Sequence, residues 1–97
     1  MSEIIVKNNE KKLQFEVEQD GALAVLEYRW YKGTVALMHT LVPSPLEGKG
    51  IGSALVKTAL EHAKAKKLKI MVYCPYVSSY MKRHPEYDGL LDKQYYQ

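Results

Sequence analysis

A mixed α/β domain is the fold class this 97-residue sequence predicts, and three observations predict it. Strand-like runs occupy the chain up to Val42, a helical period begins at Ile51, and another strand-like run follows that helix. Residues 4–7 read as a short first strand. Residues 13–18 alternate apolar and polar with period two, as a half-buried strand does, and Asp20-Gly21 then marks a turn. The run 22–30 carries Leu23, Val25, Leu26, Tyr28 and Trp30, breaks at Tyr31-Lys32-Gly33, and is followed by the apolar, β-branched run 34–42. Short turns between these runs imply an antiparallel meander.

From Ile51 the period changes to about 3.6 residues. Ile51, Leu55, Val56, Ala59, Leu60 and Ala63 share one half of a helical wheel, with Ser53, Lys57, Glu61 and Lys64 on the other. After Gly52 no glycine or proline interrupts this helix through Lys67, so about four turns are expected. Residues 68–73 then return as a strand, and a strand, crossover helix and strand imply parallel pairing with a right-handed connection. Cys74-Pro75 ends that strand, because proline lacks an amide donor and restricts the residue before it. A short helix is expected over 77–83, starting near Ser78 or Ser79 and stopped by His84-Pro85. The tail, 86–97, with Tyr87, Leu90, Leu91, Tyr95 and Tyr96, supplies a further short helix or an irregular cover.

Composition excludes several classes. A chain of this length holds one core, so residues 1–97 are expected to form a single domain. The formal charge of +3 is mild, and the one lysine cluster (Lys64, Lys66, Lys67, Lys69) suits a helix carboxyl end, so nucleic acid is not the expected partner. No segment is long and apolar enough for a membrane span, and the amino terminus lacks a signal-peptide pattern. The lone Cys74 fits a reducing compartment, and a cytoplasmic protein, monomeric or weakly dimeric, is expected. No Cys/His/Asp/Glu set has metal-ligand spacing, so no metal is expected.

The segment Val42-Pro43-Ser44-Pro45-Leu46-Glu47-Gly48-Lys49-Gly50-Ile51-Gly52-Ser53 joins the third long strand to the helix. Glycines allow close approach of backbone to an anion, and the first helical turn offers amides without intrahelical partners at the positive end of the macrodipole. A phosphate cradle is therefore the first hypothesis. It is not a Walker A loop, which needs Gly, four residues and Gly-Lys-Ser/Thr. Nor is it the dinucleotide fingerprint, since the glycines fall at 48, 50 and 52.

With the meander before it and one strand after it, the loop resembles the core of the GNAT superfamily of acetyl-CoA-dependent N-acetyltransferases. The superfamily's Gln/Arg-x-x-Gly-x-Gly/Ala maps onto residues 47–52, with Glu47 departing from the usual first residue and Lys49 placed to offset its charge. His39-Thr40-Leu41-Val42-Pro43, Cys74-Pro75-Tyr76-Val77 and His84-Pro85-Glu86-Tyr87 are similar to the marks of a short subfamily without the helices usually inserted between the first two strands. The likeness covers roughly residues 4–91. It implies a GNAT-like acetyl-CoA-binding domain. Pyrophosphate would lie on Glu47, Gly48, Lys49, Gly50, Ile51, Gly52 and Ser53, with the pantetheine arm beside Leu41 and Val42. The acceptor is an unidentified small amine or lysine side chain.

In that arrangement the two central parallel strands splay and the thioester lies between them, framed by His39, Thr40 and Leu41 on one side and Tyr73, Cys74 and Tyr76 on the other. Cys74 admits two readings: a nucleophile or proton donor to the leaving thiolate, activated by His39 or a nearby helix amino terminus, or a small buried residue at a strand end. His39 is a general base or a polariser of Cys74, or a satisfied strand histidine. Tyr73, Tyr76, Tyr80 and Tyr87 are candidate acids or large buried rings. His62 reads as edge packing and His84 as a helix carboxyl cap, while Phe15 and Trp30 read as core or cover. Two rival functions remain: a CoA-binding protein with little turnover, and a protein-interaction module presenting its tyrosine-rich end.

Overall fold

The computed structural model describes residues 3–93. Five strands, β1 (Lys7–Asn9), β2 (Gln14–Gln19), β3 (Ala22–Tyr31), β4 (Thr34–Leu41) and β5 (Ile70–Val72), form one sheet in the order β1-β2-β3-β4-β5. The first four are antiparallel in sequence order, and β5 runs parallel to β4. Asp20-Gly21 and Lys32-Gly33 make the two central hairpins. Each pair carries successive positive φ angles, 53° and 75°, then 50° and 82°. That mirror-image turn matches the right-handed twist of the strands it joins.

The parallel crossover is α1 (Ile51–Ala65), and α2 (Pro75–Arg83) follows β5. Ile51, Leu55, Val56, Ala59, Leu60 and Ala63 are all buried, as their spacing predicts. They pack with Phe15, Val17, Leu26, Leu37 and Ile70 of the sheet and Val77 and Met81 of α2 in one cluster. Both helices thus lie on the same face. The opposite face, carrying Val25, Ala36 and Met71, contributes nothing to that cluster.

The larger departures from the expected bounds fall at β1, α1, β5 and α2. β1 lies at Lys7–Asn9 rather than 4–7: Ile4 and Val6 do pack on the core, but the ladder forms where Asn9 donates to Glu16 (3.0 Å) and Asn8 accepts from the Tyr28 hydroxyl (2.7 Å). Apolar residues report burial, not backbone pairing. α1 stops at Ala65, two residues before Lys67, because Leu68 N–H bonds to the Ala63 carbonyl (2.8 Å) and Lys67 N–H to that of Lys64 (3.2 Å), with Lys67 at φ 58°. This is a Schellman end with lysine in the place glycine usually takes. β5 spans only three residues, and α2 opens earlier than expected, with Pro75 in its first turn and Cys74 as its amino cap. Proline suits a first helical position, where its missing donor costs nothing.

The tail forms a 3-10 turn, Pro85–Leu90, and Ile70 and Leu91 make a single bridge beside β5. Tyr95 and Tyr96 lie outside the described residues. Tyr87 is buried and donates to the Glu61 carboxylate at 2.5 Å, tying this turn to α1. Donation to Glu61 first, then burial and the Glu61 charge, hold its phenol un-ionised, pushed up to about 12 from 10.0. Below about pH 10 both folded and unfolded chains keep this phenol neutral, and its contribution to stability is complete. Between about pH 10 and 12 only the unfolded chain ionises, so that contribution is lost as pH rises. In urea denaturation across this window, wild type should lose stability more steeply than Tyr87→Phe; parallel slopes would contradict the role given to the Glu61 contact.

Candidate active site

β4 and β5 separate partway along their length. Their ladder runs from Val35↔Ile70 to Leu37↔Val72. The amides of Tyr73 (3.0 Å) and Cys74 (3.1 Å) then both donate to the Leu37 carbonyl, and no further rung follows among the described residues. β4 continues to Leu41 while the other chain turns into α2. The result is a gap that widens from Leu37 towards Leu41.

A bulge at the same level sets which side chains face the gap from which side. Leu26 pairs with Thr40 and Glu27 with His39, but Tyr28 pairs with Leu37, leaving Met38 as one extra residue. Side chains alternate along a strand, so an extra residue reverses every later position. Leu37 faces the helices; without the bulge His39 would too. Instead Thr40 takes the helix face, and its Oγ1 lies 3.3 Å from Cys74 Sγ. His39, opposite Glu27 and exposed, takes the bare face. The expectation that His39 polarises Cys74 is corrected accordingly: the partner of Cys74 is Thr40. Cys74 itself is 3% exposed and packs in the core cluster, so its small-buried-residue reading holds alongside its place at the gap.

The loop after β4 is pinned by Leu46, fully buried within a 3-10 turn, Ser44–Leu46. Gly48 and Gly50 have φ of 77° and 78°, and Gly50 caps α1 from the left-handed region without any side-chain bond. The first intrahelical bond of this terminus runs from Ala54 N–H to the Gly50 carbonyl (3.0 Å). The amides of Ile51, Gly52 and Ser53 therefore have no partner in the helix, and no acidic side chain occupies the first turn. Glu47 is exposed just before the turn. Lys49 pairs with Asp20 (2.8 Å), not with Glu47, in an exposed ion pair of the kind worth about 1 kcal/mol or less. These residues fit an anionic group: the donors are present, and Lys49 in the same loop is held only weakly elsewhere.

Gly52 serves a different purpose from its neighbours. A Cβ there would meet Tyr76 Oη at 2.6 Å and Cζ at 2.8 Å, whereas at Gly48 and Gly50 it would meet nothing within 4 Å. The Tyr76 ring thus rests on the first turn of α1, two residues after Cys74, and connects the amide cradle to the gap. Tyr73 lies on the bare face and is 58% exposed, lining a concave region with Met38 and Met71. Tyr80, stacked on His84 at 4.2 Å, and Tyr87 are buried away from the gap, and burial raises the Tyr80 phenol as well. His84 is the carboxyl cap of α2, and His62 packs edge-on against Phe15. Leu41 is exposed at the outer end of the gap and Val42 packs on the core.

Comparison with known proteins decides the family. A profile described as GCN5-related N-acetyl-transferase matches residues 14–90. The chain belongs to this family. It is similar to Protein NATD1 of Xenopus tropicalis, 38% identical over 87 residues covering 87% of this chain and 80% of that one. Protein NATD1 of Homo sapiens is 36% identical over 85 residues, 84% of this chain and 75% of that one. The NMR solution structure of a GCN5-like protein from Staphylococcus aureus superposes with a TM-score of 0.71 at 27% identity, covering 100% of this chain and 99% of that chain.

As a GCN5-related domain, the protein carries the family's mixed sheet with two helices on one face only. No group of three His, Cys, Asp or Glu that could hold a metal occurs among the described residues, and no described helix is long and apolar enough to cross a membrane. Sequence reasoning named Thr40 only as a neighbour, and it missed Glu27 and Arg29 altogether. Their signal was the alternation of β3, which puts residues 25, 27, 29 and 31 on one face. The Gly52 and Tyr76 contact yields a double-mutant cycle. Gly52→Ala should stabilise a Tyr76→Ala background by roughly 0.5–1 kcal/mol through helix propensity, and give less or the opposite sign when Tyr76 is present. Additive effects in urea melts would show that the two residues do not touch.

Proposed function

We propose that this single domain is an acetyl-CoA-dependent N-acetyltransferase, and the observation that carries the reading is the gap between β4 and β5 beside the unpartnered amides of Ile51, Gly52 and Ser53. Those amides would hold the diphosphate, with Gly48 and Gly50 shaping the approach. The unpaired edge of β4 near Leu41 and Val42 would receive the extended pantetheine arm as an added strand does. When bound there, the cofactor supplies an acetyl thioester. All remaining chemistry falls to this chain.

The two-sided gap favours direct transfer over a covalent acetyl-cysteine. A cysteine nucleophile needs a base within hydrogen-bond reach, and the bulge places His39 and Cys74 on opposite faces. In direct transfer that separation is useful. His39, on the bare face, takes a proton from the amine as the N–C bond forms and the C–S bond breaks. Cys74, oriented by Thr40 on the helix face, gives its proton to the departing thiolate. Both groups return to their starting state by exchange with water.

Titration with acetyl-CoA, followed by amide shifts, should move residues 48–53 and 41–42. Silence there would leave the chain as an interaction module. Incubation with acetyl-CoA alone should leave the intact mass of the protein unchanged, while Cys74→Ala slows transfer to an amine by about 10²-fold or more without weakening cofactor binding. A stable acetyl adduct that disappears in Cys74→Ala would replace direct transfer with the covalent route. Binding without transfer to any amine would reduce the protein to a CoA carrier.

A further inference from the structure

The sheet face without helices holds a pocket of about 360 Å³ lined by Arg29, Trp30, Tyr31, Met38, Met71 and Tyr73. Met38 and Tyr73 are the lips of the gap on this side, so the pocket opens beside the place where the acetyl group would be presented. Its chemistry is polarised along the strands. Glu27 stands opposite His39 at the level of the gap, and Arg29, two residues further along the same strand and face, stands opposite Ala36. At about 3.4 Å per residue the two backbone positions are about 7 Å apart. Arg29 Nη1 donates to the Tyr28 carbonyl at 2.7 Å, which anchors the guanidinium and leaves its remaining donors for a planar anion. Arg29 is the one charged residue among the six that line the pocket.

We infer that this pocket is the acceptor site and that its ligand is an ω-amino carboxylate, with the amine towards Glu27, His39 and the gap and the carboxylate on Arg29. The inference rests on the transferase reading above and adds the substrate class to it. A chain of about five methylenes is about as long as that backbone spacing. Met38 and Met71 give those methylenes a deformable apolar floor, and Tyr31 and Tyr73 give them flat walls. A diamine would set a second ammonium against Arg29, and a plain alkylamine would leave the guanidinium unanswered.

The test uses ε-aminocaproate and n-hexylamine, titrated separately into the protein without cofactor and followed by amide shifts. ε-Aminocaproate should move Arg29, Met38, Met71 and Tyr73 and bind about tenfold more tightly than n-hexylamine, the advantage of one charge-assisted bidentate contact. Arg29→Gln should erase that advantage, and Arg29→Lys should keep part of it. Arg29 is exposed, so neither variant removes core contacts. Equal binding of the two amines, shifts confined to other residues, or an advantage that survives Arg29→Gln would overturn the inference, as would tighter binding of a lysine peptide with blocked ends. Because no cofactor is present, the two readings fail separately. A protein that binds acetyl-CoA but not ε-aminocaproate keeps the transferase reading and loses this one, and the reverse result keeps the pocket and loses the transferase.

Discussion

One extra residue in β4 governs the site. Strand side chains alternate with period two, so inserting Met38 opposite an unbroken β3 exchanges the faces of everything after it. Thr40 meets Cys74 under the helices, and His39 meets Glu27 on the open side. At the same level the parallel ladder stops at the Leu37 carbonyl, which takes both the Tyr73 and Cys74 amides. Bulge and ladder end together open the sheet into a gap with a helix side and a bare side, which the proposed reading assigns to cofactor and acceptor. A group-transfer site needs both sides to reach one carbonyl, and a continuous sheet would seal them from each other.

The loop end of the gap is built from backbone rather than from charge. Leu46 fixes the loop in the core, two left-handed glycines aim the chain, and α1 then starts with unpartnered amides and no acid nearby. The Glu47 carboxylate is exposed and stands before the turn, outside the amide cluster. Gly52 has a separate duty. It admits the Tyr76 ring, so the third glycine belongs to the contact between α1 and α2 as much as to the loop.

Periodic features were readable in the sequence. The α1 stripe from Ile51 to Ala63, the alternating β2 and both glycine turns express spacing rules that tertiary contacts here only reinforce. The glycine loop and its place between strand and helix were equally readable, because backbone donors need no particular side chain. What escaped were features set by partners distant in sequence. The bulge arises from pairing between β3 and β4, and nothing in residues 34–42 alone marks Met38 as the extra one, so the sequence left open a contact between His39 and Cys74 that the bulge does not provide. β1 shifted because Asn8 and Asn9 found side-chain partners that apolar residues do not signal. Lys67 ends α1 without a glycine to announce it.

The face assignment can be read directly from proton–proton distances in solution. Nuclear Overhauser spectra of the labelled protein should show the Thr40 methyl close to the Cys74 β-protons, and the His39 ring protons close to Glu27 with none to Cys74. Contact between the His39 ring and Cys74, with Thr40 turned to the open face, would contradict the account, because the bulge would then not separate the two sides of the gap.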